Sequence, residues 1–466
     1  MAIAIATFVI AYLLLIDGYY RRTAVVLVAS VFLLLTGIVT PLVAFRSIAW
    51  DVLGVFFGML VLSDLFVESR MPAVIAAWIS RKTASVAGAI FGLAACASVL
   101  SLVLENVAVV LIFAPVALAL AKRLGTSAAP LLIGIAIAAN LQAAALMVGD
   151  PPAMYLGTYA GLSFNDFLWH DGRPGIFFAV QLATMAALAM FWLLIRKHRA
   201  AVPSFPVEVP STVMPTVLLV GVMVALPLVV LLASGTPHVT TYTVLTFAAV
   251  GWLWHLARHH LRAANGNEGG LVHTLFFHRM PRASEVGVAR PLSQLQRRFL
   301  SIRDRFGGGH RLLRELDWET MLFLIGVFIL VQGLVTTGAI DALAGWLAHV
   351  AGTSTLRTYV LLIVFAVVVS AFVDNIPFIV AMLPVASHLA LGLGIDPFLL
   401  YGGLLLGTSV GGNITPIGAS ANIVAFRWLQ RYADEPISFG GFVKFGLPMT
   451  LAAMIAAGVF GWFAWQ

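Results

Sequence analysis

Two carboxylates in the sequence lie in the middle of long apolar runs, and each is followed directly by an asparagine. The pairs are Glu105-Asn106, in the run Ala84 to Ala121, and Asp374-Asn375, in the run Thr358 to Leu393. A charge at the centre of a bilayer costs about 2.5 to 3.5 kcal/mol on insertion scales, so both carboxylates are candidates for ion or substrate binding and for proton exchange. The alternative is a structural carboxylate that caps the N-terminus of a half-helix.

A second type of stretch combines helix-breaking residues with polar side chains. Thr408 to Asn422 contains three glycines and a proline within an otherwise apolar span, and Asn140 to Pro152 is its poorer first-half equivalent. Broken helices release backbone groups that can coordinate a small ion. The predicted substrate- and ion-binding residues are Glu105, Asn106, Asn140, Asp150, Asp374, Asn375, Ser409, Gly411, Gly412, Asn413, Thr415, Gly418, Ser420 and Asn422. A sodium ion at Asp374, Asn375, Asn413 and Thr415 is an open alternative, and no other metal site or cofactor is expected.

The composition indicates that these residues lie in a membrane protein. Of 466 residues, 61% are hydrophobic and 10% charged, and the mean hydropathy is +1.00. Apolar runs of about 20 residues recur along the chain, which is typical of helices that cross a bilayer of about 30 Å. A transmembrane barrel would instead alternate polar and apolar residues. The single cysteine, Cys96, excludes an intrachain disulfide, and the net charge of +7 reflects topology better than a nucleic-acid partner.

The basic residues predict the topology. One arrangement places 24 Lys and Arg inside and only Arg46, Arg173 and Arg357 outside, a strong positive-inside pattern. It gives ten crossings in the plasma (inner) membrane, both termini outside, and a cytoplasmic Arg-rich loop. The two runs with carboxylates are too long for one crossing and have both flanks on one side. We therefore expect two re-entrant helical hairpins that turn at Glu105-Asn106 and Asp374-Asn375.

The two halves of the chain are related by an offset of about 268 to 269 residues. Leu104-Glu105-Asn106 matches Val373-Asp374-Asn375, and Pro115 matches Pro384. The charge pattern opens the first hairpin inward and the second outward, so the fold class is an all-α polytopic membrane protein with two inverted-topology repeats, each with a hairpin and a broken helix. The predicted boundaries are 1–200 for the first repeat, 201–257 for connecting helices, 258–315 for the basic loop and 316–466 for the second repeat.

Several motifs together resemble the ion transporter superfamily, and most closely its branch of arsenite permeases, sodium/proton antiporters and melanosomal P proteins. They are the two carboxylate-asparagine pairs with a following proline, Gly149-Asp150-Pro151-Pro152, and the stretch Gly411 to Asn422. The resemblance implies an elevator-like movement of the hairpins and broken helices, and it implies that these motifs line the site. Departures at Gln142 to Leu146, Ala153 and Glu105 favour a proton over sodium as the coupling ion.

We therefore expect an ion-coupled secondary transporter of a small inorganic ion or oxyacid, by arsenite or antimonite efflux or by cation/proton antiport. A sodium-coupled carrier of dicarboxylates or other anions is disfavoured, because such a substrate needs a buried cation and we expect no Lys or Arg at either tip. A passive channel and an intramembrane protease with Asp150 and Asp374 are remote alternatives, so we expect no enzyme. Membrane lipid is an expected partner and nucleic acid is not; a homodimer and a soluble partner at the loop are left open.

Overall fold

A computed structural model describes residues 1–17, 22–83, 85–124, 127–197, 210–233, 236, 238–264, 316–433 and 437–466. These residues are mostly helical, as expected, with one short antiparallel β-hairpin, formed by Trp169–His170 and Arg173–Pro174. The predicted basic loop lies outside the described residues except for 258–264, and so do Arg21 and Arg199 of the charge pattern. The predicted boundary at residue 257 falls inside a helix that continues to Ala264.

The helices described in the first half range from 7 to 20 residues. They are α1 (Ala2–Asp17), α2 (Arg22–Leu35), α3 (Pro41–Ser47), α4 (Trp50–Glu68), α5 (Met71–Lys82), α6 (Val86–Leu100), α7 (Asn106–Leu124), α8 (Ala129–Ala143), α9 (Pro151–Ala160) and α10 (Ile176–Ile195). Local signals account for several boundaries. The Ser85 hydroxyl accepts a hydrogen bond from the Gly88 N–H at the start of α6, and proline occupies the first turns of α8 and α9.

The second half continues with two connecting helices and then a similar series. It comprises α11 (Met214–Leu232), α12 (Val239–Ala264), α13 (Trp318–Thr336), α14 (Ala339–Ala351), α15 (Thr355–Ser370), α16 (Asn375–Leu393), α17 (Phe398–Gly411), α18 (Ser420–Tyr432) and α19 (Phe439–Trp465). Among the described residues, six helices are long and apolar enough to cross a membrane: α4, α10, α11, α13, α16 and α19. The inverted orientation of the halves and the ten crossings stay predictions.

In each half, two helices are joined close to the place where the sequence predicts a hairpin to turn, and the re-entrant course of these hairpins stays a prediction. α6 and α7 are separated by Ser101 to Glu105, and α15 and α16 by Ala371 to Asp374. Each pair packs on the broken helix that follows it, α8 in the first half and α17 in the second. α2 packs on α13 and α12 on α4, while α10 and α19 pack extensively against each other.

The burial of the helices places the broken segments at the centre of the molecule. Every residue of α8 and of α17 is buried. Large apolar side chains on other helices face outward, among them Leu35, Leu232 and Phe463, which are exposed by 82%, 87% and 78%. Exposed apolar surface on outer helices and a buried interior with polar groups are what a lipid environment requires.

Candidate substrate and ion site

The tip of the second hairpin carries an ion pair with a distant helix. Asp374 immediately precedes α16, but its side chain does not cap that helix. Its Oδ2 atom accepts hydrogen bonds from Arg22 Nη1 at 2.8 Å and from Ser420 Oγ at 3.0 Å. Arg22 is the first residue of α2 and lies 352 positions away in sequence. The expectation that no Lys or Arg lies at either tip is therefore wrong, because the fold brings a cation to Asp374 from another part of the chain.

The tip of the first hairpin is built differently. Glu105 Oε2 accepts a hydrogen bond from the backbone N–H of Ala108 at 3.0 Å, so this carboxylate caps α7. Among the described residues, no Lys, Arg or His forms an ion pair with Glu105. The carboxylates of Asp150 and Asp317 lie within electrostatic range of it. The capping role that the sequence left open is thus seen at Glu105 and not at Asp374.

Four asparagines form a hydrogen-bonded chain between the two halves of the molecule. Asn106 Nδ2 donates to Asn140 Oδ1 at 2.9 Å. Asn140 Nδ2 then donates to the side-chain oxygens of Asn413 and Asn422, both at 2.9 Å. Asn140, Asn413 and Asn422 are buried, with at most 1% of their surface exposed. An amide side chain can both donate and accept, so it can join two polar groups in a buried site without a net charge.

The asparagine chain is attached to the break that follows α17. Asn422 Nδ2 donates to the carbonyl oxygens of Gly412 at 2.9 Å and Thr415 at 3.2 Å, and Asn413 Nδ2 donates to the Ser409 carbonyl at 3.1 Å. These carbonyls lie at or near the broken end of α17, where intrahelical partners are missing. The amide side chains therefore replace the hydrogen bonds that an unbroken helix would have made.

The second tip packs tightly on this break. Ser370 Oγ lies 2.7 Å from both Asn375 Oδ1 and the Thr408 carbonyl oxygen, and the Thr415 hydroxyl donates to the Ala371 carbonyl. A Cβ atom at Gly418 would lie 2.6 to 2.8 Å from the carbonyl oxygens of Gly412, Ser370 and Ala371. Only glycine allows the backbones to approach this closely.

Two further predicted residues, Asp150 and Ser409, differ in their hydrogen bonding. Asp150 Oδ1 accepts from the Ala153 N–H at 3.0 Å and caps α9. The Ser409 hydroxyl is buried and has no hydrogen-bond partner among the described residues. A buried polar atom without a partner is costly, so Ser409 is a candidate contact for a bound ion or substrate group.

Six of the predicted residues fall into two separate hydrogen-bonded groups. Asn106, Asn140, Asn413 and Asn422 belong to the asparagine chain, whereas Asp374 and Ser420 belong to the ion pair with Arg22. Among the described residues, no side-chain hydrogen bond joins any two of Asp374, Asn375, Asn413 and Thr415, the residues of the sodium alternative. Asp150 and Asp374 have separate partners as well, so they do not form the shared pair that an aspartyl protease needs.

Sequence reasoning missed Arg22 and Ser370. Ser370 directly precedes the second tip and was available as a polar residue within an apolar run. Arg22 was counted only as a topology signal, because a basic residue at the end of an apolar run normally marks the membrane interface. Nothing in the local sequence around Arg22 links it to the second hairpin.

One group of potential metal ligands occurs elsewhere in the described residues. Ligand atoms of His170, Asp171 and Asp396 lie within 4.8 Å of one another. Asp171 and Asp396 are exposed, and His170 Nδ1 lies 3.3 Å from Asp166. Exposed acidic groups often lie close together without a metal, so we assign no metal to this cluster. It shares no residue with the buried asparagine chain.

Comparison with known proteins identifies the class of this chain as a multi-pass membrane transporter. Its relatives include a 46 kDa membrane protein of Mycobacterium leprae, 28% identical over 99% of this chain and 98% of that protein. An uncharacterized transporter of Mycobacterium tuberculosis has the same identity and the same coverage. The human P protein is 27% identical over 89% of this chain, which spans about half (54%) of that longer protein.

The family model described as citrate transporter matches residues 11–400 and 300–465. The chain therefore belongs to the citrate transporter family of the ion transporter superfamily, which confirms the resemblance derived from the motifs. The structure of the YdaH transporter of Alcanivorax borkumensis has a similar fold, with a TM-score of 0.55 over 93% of this chain and 89% of that one. At 14% identity, this likeness is one of fold alone.

Proposed function

We propose that this membrane transporter is an ion-coupled secondary active transporter that moves a small oxyacid or anion by alternating access. In this proposal the two hairpins and the broken helices move together as an elevator-like unit against the remaining helices. Substrate and coupling ion bind where the hairpin tips meet the breaks after α8 and α17. The coupling ion is a proton, with sodium as the alternative, and it acts through Glu105 and Asp374.

The observation that carries this proposal is the buried chain Asn106–Asn140–Asn413 and Asn422. It joins the first hairpin tip, the first broken helix and the second break through side-chain amides. Polar side chains and interrupted helices in an otherwise apolar interior are typical of transporter sites near the membrane midplane. The asparagine chain has no net charge of its own, so we assign binding of the coupling cation to the two hairpin-tip carboxylates, Glu105 and Asp374.

Two kinds of cargo are supported by specific observations. The side-chain amides of the asparagine chain, together with the adjacent Ser409 hydroxyl, suit the hydroxyls of arsenite or antimonite. Efflux of these oxyacids is one candidate, and cation/proton antiport is a related form. Arg22 at the second tip supports a carboxylate anion instead, because guanidinium groups recognise carboxylates. This contact removes the argument against an anion carrier, and the family description points the same way.

The test uses proteoliposomes that contain a pH-sensitive dye. Sodium, lithium, arsenite, antimonite, succinate and citrate are added in turn to wild type, Asp374→Asn and Glu105→Gln, and uptake of labelled substrate is measured in parallel. We expect one substrate to be accumulated against its gradient in wild type, together with a pH or sodium signal, and not in Asp374→Asn. Arg46→Gln is the control, because it removes an exposed charge in the last turn of α3.

The possible outcomes separate the alternatives. Saturable uphill uptake of any of these substrates supports secondary transport, and the dye trace identifies the coupling ion. Downhill flux without accumulation would show a passive channel and refute the proposal. Uphill transport that is unchanged in Asp374→Asn and Glu105→Gln would show that neither carboxylate couples the ion.

A further inference from the structure

The contact between Arg22 and Asp374 uses only part of the guanidinium group. Among the described residues, both side-chain contacts of Arg22 are made by Nη1, with Asp374 Oδ2 at 2.8 Å and with Ser420 Oγ at 3.4 Å. The Arg22 side chain is 33% exposed, whereas that of Asp374 is only 14% exposed. A guanidinium has five N–H donors and usually binds a carboxylate through two parallel hydrogen bonds. Arg22 therefore has accessible donors that its contact with Asp374 does not use.

The charges around this pair favour an anion. Arg427, on α18, lies within electrostatic range of Arg22. The Tyr12 hydroxyl, on α1, lies within electrostatic range of Asp374 and has no hydrogen-bond partner among the described residues. Together with the pair itself, these neighbours make a cluster of two arginines, one tyrosine and one carboxylate among the described residues. With Asp374 ionised, the cluster has one positive charge in excess; with Asp374 neutralised, it has two.

We propose that Arg22 is the anion-binding residue of this transporter and that Asp374 is an internal carboxylate which the substrate anion displaces. The proposal rests on the ion-coupled transport proposed above and specifies how coupling occurs at its site. When the anion binds Arg22, a monovalent cation, H⁺ or Na⁺, binds the released Asp374. Anion and cation therefore travel in the same direction.

Electrostatics makes the two binding events depend on each other. An anion that bound Arg22 alone would leave Asp374 with an unbalanced charge in a nearly buried position. A cation that bound Asp374 alone would leave Arg22 unbalanced beside Arg427. Breaking an ion pair by removing one partner is strongly unfavourable where solvent is largely excluded, whereas replacing both partners restores the balance. Each ligand therefore increases the affinity for the other.

The experiment measures the binding of citrate and succinate to the purified, detergent-solubilised full chain by isothermal titration calorimetry. Each probe is tested in choline chloride and in sodium chloride, at pH 7.5 and pH 5.5. Wild type is expected to bind at least one probe about tenfold more tightly when the cation is supplied. Tighter binding in sodium chloride than in choline chloride identifies sodium, and tighter binding at pH 5.5 than at pH 7.5 identifies the proton. Asp374→Asn is expected to bind the same probe without a cation requirement, and Arg22→Gln to lose binding.

Controls separate loss of the site from loss of the fold. Arg46→Gln removes a different charge and is expected to behave as wild type. The double variant Arg22→Gln/Asp374→Asn leaves no unbalanced charge at the pair, so it is expected to stay monodisperse with a wild-type thermal transition while failing to bind. Arg22→Lys keeps the charge without the forked donors and is expected to bind more weakly than wild type.

Either of two kinds of result, in the variants or in every protein tested, would overturn the inference while leaving the proposed function intact. One is binding by Arg22→Gln with wild-type affinity, or a cation requirement that persists in Asp374→Asn. The other is the absence of citrate and succinate binding in every variant while proteoliposomes accumulate arsenite or exchange cations. Absence of uphill transport of any tested substrate by wild type would instead refute the proposed function itself.

Discussion

The two hairpin tips occupy equivalent places in the two halves of the chain, yet their carboxylates have different surroundings. Glu105 caps the helix that follows it through the Ala108 N–H and has no ion pair among the described residues. Asp374 caps nothing and is paired with Arg22 on α2. The first carboxylate is thus held by its own helix, whereas the second is bonded to a different part of the molecule.

This difference indicates that the two carboxylates have different tasks. The negative charge of Glu105 is balanced only by a helix N-terminus, with two other carboxylates in electrostatic range, so a proton is the simplest means of neutralising it. The charge of Asp374 is balanced by Arg22, so any change at Asp374 also changes Arg22. A single substitution at each tip should therefore have different consequences for transport.

The largest effect is expected from a comparison of Asp374→Asn with Glu105→Gln in transport. Asp374→Asn should reduce uphill accumulation to the level of empty liposomes, because the charge that binds the coupling cation at the ion pair is lost. Glu105→Gln should retain accumulation but change its dependence on pH, because an amide cannot take up a proton. Initial rates between pH 5.5 and pH 8.5 measure both. Identical pH profiles and equal losses in the two variants would contradict the assignment of different tasks.

The next largest effect is expected at Asn140, which links the tips. Asn140→Ala removes hydrogen bonds to Asn106, Asn413 and Asn422, and each buried group left without a partner costs about 1 to 3 kcal/mol. We expect the free energy of unfolding to fall by about 3 kcal/mol or more. Asn375→Ala is the matched comparison. Among the described residues Asn375 has one side-chain hydrogen bond, with Ser370 in its own half, and its loss should cost about 1 kcal/mol. Thermal unfolding followed by tryptophan fluorescence measures both variants. Equal losses of unfolding free energy would show that the asparagine chain stabilises the fold no more than the single bond of Asn375.

A double-mutant cycle measures the asymmetry between the tips directly. Exposed ion pairs contribute about 0 to 1 kcal/mol and breaking buried pairs costs about 3 to 5 kcal/mol, so the partly buried pair of Arg22 and Asp374 should show a coupling of about 2 kcal/mol. The variants are Arg22→Gln, Asp374→Asn and their combination, each compared by unfolding in the same detergent. The control cycle of Arg22→Gln with Glu105→Gln should give a coupling near zero. A similar coupling in both cycles would mean that Arg22 acts on the two tips alike.

The sequence predicted where the chain turns and breaks but not how the tips are bonded. Glu105-Asn106, Asp374-Asn375 and the glycines after Thr408 stood out because polar or helix-breaking residues are rare within apolar runs. The offset between the halves also predicted that the stretches Asn140 to Pro152 and Thr408 to Asn422 would be equivalent. The bonds from Asn140 to Asn413 and Asn422 span 273 and 282 residues, and a repeat does not specify contacts between its copies. The sequence did not indicate that Arg22 lies beside Asp374. A basic residue at the end of an apolar run is fully explained by the positive-inside pattern.

The smallest effect is expected at Ser420, which supports the ion pair without a charge. Ser420→Ala removes the hydroxyl that donates to Asp374 Oδ2 at 3.0 Å, and it leaves the ion pair between Asp374 and Arg22 in place. A typical hydrogen bond contributes about 0.5 to 1.5 kcal/mol, so the loss of stability should be about 1 kcal/mol, and transport should persist with a weaker affinity. Ser98→Ala, in the first half, removes a comparable bond to Gln142 at 3.3 Å and serves as the control. If Ser420→Ala alone changes substrate affinity, the hydroxyl acts by holding Asp374 toward Arg22. If both variants lower stability equally and neither changes substrate affinity, the two serine hydroxyls have equivalent roles. The difference between the two hairpin tips then depends on Arg22 alone.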